Sequence, residues 1–293
     1  MTDTHAVPVD RALRQTEPAT LPVDRALRRT ELINSIGVAI GSLEFLARPK
    51  QLAETGLLSW PVGRTRFRWS TKKHVDALNR LFNPPGVYGL IALRLLASAA
   101  LLNPRASRAT RTSAVTFLAG TNWALHVRNG FGTDGTDHMN MLTHAALAAS
   151  KLFPHDQLAR EACAWFIAGQ SVLSYASAGA AKLLSPFWRD GSAMAGIFRT
   201  QTYGTKWVGE LMKKYPVVAT AGGWGVILGE LAFPLVLVAP KPVARALLGL
   251  GAAFHVGNAA FMGLNRFIWA FSATYPSVIH VSKHLNEGDF VAI

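Results

Sequence analysis

The sequence predicts an all-α fold, a polytopic transmembrane helical bundle of about 7–8 spans with interfacial amphipathic helices. Three observations carry that expectation. Charged residues make up 16% of the chain, against roughly 25% in soluble globular proteins. Apolar runs close to the ~20 residues needed to cross hydrocarbon recur along most of its length. Helix-breaking prolines punctuate the ends of those runs.

The first thirty residues are polar and contain a tandem near-repeat. Pro8-Val9-Asp10-Arg11-Ala12-Leu13-Arg14 returns as Pro22 to Arg28, each copy followed by x-Thr-Glu. The stretch has no apolar core of a signal peptide and reads as a flexible basic tail, residues 1–30. The transmembrane domain is expected over 31–283 and a short tail over 284–293.

Apolar segments follow at about 31–47, 86–102, 111–127, 137–153, 161–184, 217–239 and 242–263. A last stretch at 264–281 reads as an eighth span or a broken half-helix. Pro84-Pro85, Asn103-Pro104, Pro154, Pro216 and Pro240-Lys241-Pro242 punctuate their ends. Two intervening stretches mix basic and aromatic residues. Residues 50–83 carry Arg64, Arg66, Arg68, Lys72, Lys73 and Arg80 with Trp60, Phe67 and Trp69; residues 186–215 carry Arg189, Arg199, Lys206, Lys213 and Lys214 with Trp188 and Trp207. That mixture suits amphipathic helices lying on a bilayer.

The net charge of +13 is distributed in short clusters between the apolar runs. It forms no basic face or nucleic-acid module, so membrane lipids are the expected partners and nucleic acid is not. The five arginines of the tail favour a cytoplasmic N-terminus, whereas the equally basic 50–83 stretch pulls the other way. A single cysteine excludes a disulfide framework, and no metal motif stands out.

Ionisable groups at membrane depth survive when paired or used. Glu44, Arg94, His126, Arg128, Asp137, His138, His144, Lys182, Glu230, His255 and Arg266 all fall in or beside apolar runs. Two patterns are sharper than the rest. From Arg128 to His138 a glycine-rich turn passes Asp134 and delivers Asp137 and His138 at a helix start, where an aspartate can equally be a cap. From Tyr175 to Leu184, small residues permit close helix contact and set Lys182 near the end of a span, from which a lysine can also reach water.

The order of these pieces resembles the horizontally transferred transmembrane (HTTM) family, the membrane domain shared by vitamin K-dependent γ-glutamyl carboxylase and many small bacterial proteins. The resemblance runs from about residue 30 to 282. It rests on Asp137-His138; Tyr175, Ala178-Gly179 and Lys182-Leu183 with Trp188 and Gly191; and Phe254-His255-x-x-Asn258 with Phe267 and Pro276. The resemblance implies that Lys182, His138 and His255 are catalytic and that Asn258 and Glu230 lie at the substrate. The turn residues Arg128, Asp134 and Asp137 join the substrate-binding set. It also implies a reduced naphthoquinone of the vitamin K type, O2 and CO2, a small peptide or lipid substrate, and a bacterial cell membrane. Ala181 replaces a second lysine of the family pattern, and one additional residue separates Lys182 from Trp188. The extramembrane region with which the carboxylase engages its protein substrate is not expected here.

Chemically, burial disfavours an ammonium ion, so a lysine in low dielectric can take a proton from a hydroquinone hydroxyl. His138 or His255 could orient the quinol oxygen, and Asn258 a substrate carbonyl or carboxylate. A Lys182–Glu230 ion pair would account for both residues without any reaction. Three function classes are therefore expected: a quinol-coupled carboxylase-like enzyme, a noncatalytic membrane factor for peptide export, maturation or immunity, and a transporter.

Overall fold

The computed structural model describes residues 21–67 and 73–287. The first copy of the repeat, Arg68, Trp69, Lys72 and the last six residues lie outside that range. The regular structure of the described residues is helical, with no strand among them. Eight helical segments form the body: α1 (Pro22–Ala47), α4 (Gly86–Leu102), α5 (Arg108–Asn129), α6 (Gly135–Leu152), α7 (Gln157–Leu184), α11 (Pro216–Ala232, prolonged by a 3-10 turn to Leu237), α12 (Lys241–Met262) and the pair α13 (Asn265–Ser272) and α14 (Tyr275–Glu287). The interfacial stretches form short helices: α2 (Trp60–Gly63), α3 (Lys73–Phe82), α8 (Pro186–Arg189), α9 (Ser192–Ile197) and α10 (Lys206–Lys214).

Two boundaries require correction. Helix α1 starts at Pro22, inside the stretch assigned to the tail, because Val23, Ala26, Leu27 and Thr30 share one helical face and all are buried. Pro22 occupies the first turn, where its missing N–H costs nothing. Helix α14 continues to Glu287, so residues 284–287 belong to the bundle and not to a tail.

By length and composition two helical segments can cross a membrane, Pro22–Ala47 and Pro216–Leu237. A third qualifies if Val75–Phe82 and Gly86–Leu102, bent by 63°, form one span. The long helices contain many polar residues, and the structure shows where these point. Thr30, Asn34, Ser98, Thr136, Ser171, Thr274 and Ser277 are fully buried, whereas Leu96, Trp123, Leu173, Leu228 and Leu250 are each more than half exposed. Small polar groups thus share the interior with apolar residues such as Leu101, Leu118, Leu147 and Ile167, while other large apolar side chains face outward.

Helix α1 packs against α4, α13 and α14, and α7 against α6, α11 and α14. The starts of α1, α5 and α7 meet the ends of α4 and α6 at one end of the bundle. There Arg160 at the start of α7 pairs with Asp24, Lys151 at the end of α6 pairs with Glu31, and Arg28 donates to the Leu101 carbonyl. At the opposite end the α5–α6 turn meets the start of α13 through Arg266, Asp134 and Asp137, and Asn265 donates to Glu44.

Candidate functional site

The polar interior is divided into three neighbouring centres. The first is built on the glycine-rich turn. Asp134 and Asp137 form a capping box for α6: Asp134 Oδ1 accepts from the Thr136 and Asp137 amides at 2.8 and 3.2 Å, and Asp137 Oδ2 accepts from the Asp134 amide at 3.1 Å. The remaining oxygens turn to Arg266, which donates to Asp137 Oδ1 and Asp134 Oδ2, both at 3.0 Å. Each aspartate therefore caps the helix through one oxygen, as the sequence allowed, and is held by Arg266 through the other, a contact the sequence did not indicate.

Beside this clamp lies a cavity of about 320 Å³, bordered by Glu44, Arg48, Asp134, Tyr203, Arg266 and Phe267. Behind the clamp a space of about 30 Å³, enough for a water, is bounded by Arg94, Asn122, His126, Asp137 and Arg266. Arg94 donates to Thr121 Oγ1 at 2.6 Å and Asn122 Oδ1 at 2.7 Å. The Nδ2 atoms of Asn34 and Asn122 lie 2.9 and 3.0 Å from His144 Nδ1. His126 Nδ1 and His144 Nε2 are buried without a partner. His138 is exposed, with Nδ1 3.0 Å from the Asp134 carbonyl oxygen and its ring 4.7 Å from that of His126.

The second centre surrounds His255. Tyr175 Oη lies 2.7 Å from His255 Nε2 and 3.0 Å from Tyr275 Oη, joining α7, α12 and α14. Gly251, one turn before His255, makes room for this junction: a Cβ there would stand 2.5 Å from Tyr275 Oη and 3.2 Å from Tyr175 Oη. Phe267 and Phe271 stack on the His255 ring with centroids 6.1 and 4.5 Å away. His255 Nδ1 is buried with no partner. Phe267 also borders the 320 Å³ cavity and so separates it from His255.

The third centre is Lys182 with Glu230. Lys182 Nζ donates to both Glu230 oxygens, at 2.9 and 2.8 Å, and lies 5.2 Å from the centre of the Trp188 ring. Gly179 allows the approach, since a Cβ there would lie 3.0 Å from Glu230 Cβ and from the Leu231 backbone nitrogen. Tyr175, Gly179 and Lys182 follow one another at helical spacing, so the second and third centres are mounted on one face of α7.

The expected residues are therefore distributed and not gathered around one cavity. Arg128 is 1% exposed and donates to the Phe82 and Leu52 carbonyls at 3.0 Å each and to Asn129 Oδ1 at 2.9 Å, which makes it a clasp between α5 and the preceding loops. Asn258 is half-buried one turn beyond His255, and its carbonyl accepts the Leu264 amide at the end of α12. Tyr275 and the two asparagines at His144, Asn34 and Asn122, escaped the sequence reading because neutral polar residues in an apolar run carry no charge signal. A further cluster was also missed. Glu161, His280 and His284 place their ligand atoms within 4.8 Å of one another, and His280 Nε2 lies 2.7 Å from Glu161 Oε2. A divalent cation could be held by such a set; its visible signal was the pair of histidines four residues apart on α14.

Comparison with known family models, with curated proteins and with solved structures finds no match to the chain.

Proposed function

We propose that the chain is a polytopic protein of the bacterial cell membrane, with the body helices as about 7–8 spans, that carries out quinol-coupled, carboxylase-like proton chemistry on a small peptide or lipid substrate. Outward-facing Leu96, Leu173, Leu228 and Leu250 over a polar interior support the membrane reading. The observation that carries the chemistry is the Tyr275–Tyr175–His255 line beside the Lys182–Glu230 pair on one face of α7.

The donor set suits an aromatic ring bearing hydroxyls. His255 Nδ1 is a buried polar atom with no partner, set among Phe254, Phe267 and Phe271. Lys182 Nζ, held by both Glu230 oxygens, is the group to which a hydroxyl would deliver its proton. His255, held by Tyr175, orients the hydroxyl oxygen. When bound there, a reduced naphthoquinone with O2 would supply the driving force for removing a carbon-bound proton and adding CO2.

The test is epoxide formation by detergent-purified protein given reduced menaquinone under oxygen, followed by mass spectrometry. Epoxide from the wild type and none from Lys182→Ala is the expected result. Absence of product from the wild type, or equal product from both proteins, overturns the reading. A second reading, a noncatalytic membrane factor, is favoured by one observation: Lys182 occupies both Glu230 oxygens, so the pair satisfies itself. A co-purifying peptide together with indifference to Lys182→Ala would select it.

A further inference from the structure

At the end of the bundle opposite the Arg266 clamp, the starts of α1, α5 and α7 and the end of α6 enclose a groove of about 560 Å³. Among the described residues, seven basic side chains and one carboxylate, Asp24, border it. The available acids are already engaged. Asp24 holds Arg160 at 2.9 Å, and Glu31, 1% exposed beneath the groove, holds Lys151 at 2.9 Å and also Arg28. These bonds fix three of the cations in place. Arg29, Arg108 and Arg111 have no carboxylate partner among the described residues.

Arg108 and Arg111 sit three residues apart in the first turn of α5 and therefore on neighbouring positions of one face. Three helices begin at this groove, and the positive ends of their dipoles add to the side-chain charge. The outer surface beside it has the opposite character. Leu152, Phe153 and Leu158, on the turn that carries Lys151 and Arg160, are 70%, 53% and 51% exposed. A rigid basic cleft next to outward-facing apolar residues matches a molecule with an anionic head and an acyl tail.

We propose that this groove binds the phosphate-bearing headgroup of an anionic phospholipid, with Arg108 and Arg111 as its direct phosphate ligands and Glu31 holding Arg28 and Lys151 in position. The inference rests on the membrane reading given above, but not on the quinol chemistry. Arginine suits the role because its planar fork can grip two phosphate oxygens together.

The experiment is native mass spectrometry of the full chain in neutral detergent, titrated with dioleoyl phosphatidylglycerol or dioleoyl phosphatidylcholine. The wild type is expected to retain phosphatidylglycerol preferentially. In Arg108→Gln/Arg111→Gln its affinity falls about 30-fold, the loss of two cations near the lipid surface. Arg108→Lys/Arg111→Lys keeps the charge but not the planar fork, should bind between the wild type and the glutamine variant, and controls for folding. Equal retention of the two lipids, or a preference that survives the glutamine changes, overturns the proposal. A soluble-phosphate arm uses sn-glycerol 1-phosphate; displacement of the lipid at equimolar concentration would assign the groove to a soluble phosphate and overturn the lipid assignment. Carbonate washing of native membranes separates the two levels of inference. Release into solution counts against the membrane reading, whereas retention without lipid preference counts against the groove alone.

Discussion

Cutting the Lys182–Glu230 pair from one side at a time measures how much of it is structural. The two bonds of 2.9 and 2.8 Å are good charge-assisted geometry, and the Lys182 and Glu230 side chains are 20% and 8% exposed. Breaking a fully buried pair costs about 3–5 kcal/mol, because the surviving charge loses its partner without regaining water. Partial exposure of Lys182 puts the expected cost of Lys182→Met at the lower end, about 3 kcal/mol. Loss of the Trp188 contact adds about 0.5–1 kcal/mol. At roughly 2 °C per kcal/mol for a chain of this size, the melting temperature should fall by about 7–8 °C. Lys182→Met/Glu230→Leu removes both charges and should recover to within about 1 kcal/mol of the wild type. The assay is thermal unfolding in detergent followed by circular dichroism at one fixed scan rate. Single variants that melt with the wild type, or a double variant as unstable as the sum of the singles, would refute the reasoning. The double variant also serves the functional question: a stable protein that forms no epoxide shows that the pair acts in turnover as well as in packing.

Other perturbations follow from the same geometry. Tyr175→Phe removes the hydroxyl shared by His255 and Tyr275 and should cost about 1–3 kcal/mol by leaving buried polar atoms unpaired, read by the same thermal scan; an unchanged melting point would discount the hydrogen-bonded line. Gly179→Val places side-chain atoms against Glu230 and Leu231; separation of α7 from α11 should lower the melting temperature by several degrees, about 1–3 kcal/mol, whereas Gly169→Val, where a Cβ meets nothing, should not. Arg266→Ala leaves two carboxylates facing one another at the start of α6, so limited proteolysis should cut the 130–134 turn faster than in the wild type, and equal rates would discount the clamp. His280→Leu strands Glu161, 6% exposed, and should destabilise by about 3 kcal/mol, with Glu161→Gln/His280→Leu recovering part of the loss.

Much of the fold was legible because local punctuation coincides with element ends. Pro84-Pro85 and Asn103-Pro104 bracket an apolar run, and α4 occupies Gly86–Leu102 as expected. The broken last stretch was likewise visible, with α13 and α14 meeting at Ala273 and Thr274. The start of α1 was obscured because Arg25, Arg28 and Arg29 are interleaved with the apolar residues of its inner face, and charge masked the helical spacing of Val23, Ala26 and Leu27. The ionisable residues of the site were found individually, since each stands out in an apolar run. Their partners were harder to find. Arg266 meets aspartates more than 120 positions away, and Tyr175 meets Tyr275 across 100; contacts at that separation leave no periodicity in a single sequence. Lys182 with Glu230 was accessible as a pairing of opposite charges, but not the Gly179 contact that brings their helices together.

The inward polar face of α1 also sets the order in which the molecule can be assembled. Thr30 lies 3.2 Å from Ser277 on α14, and α1 packs against α13 as well as α14. A ribosome releases α1 long before either of those helices exists. Until then its buried-side hydroxyls and amides must be shielded by α4, α6 or water, and the barrel of helices stays open along one seam. Closure waits for the end of translation, so a chain truncated before Asn265 should remain a substrate for quality-control proteases even with all its longest helices made.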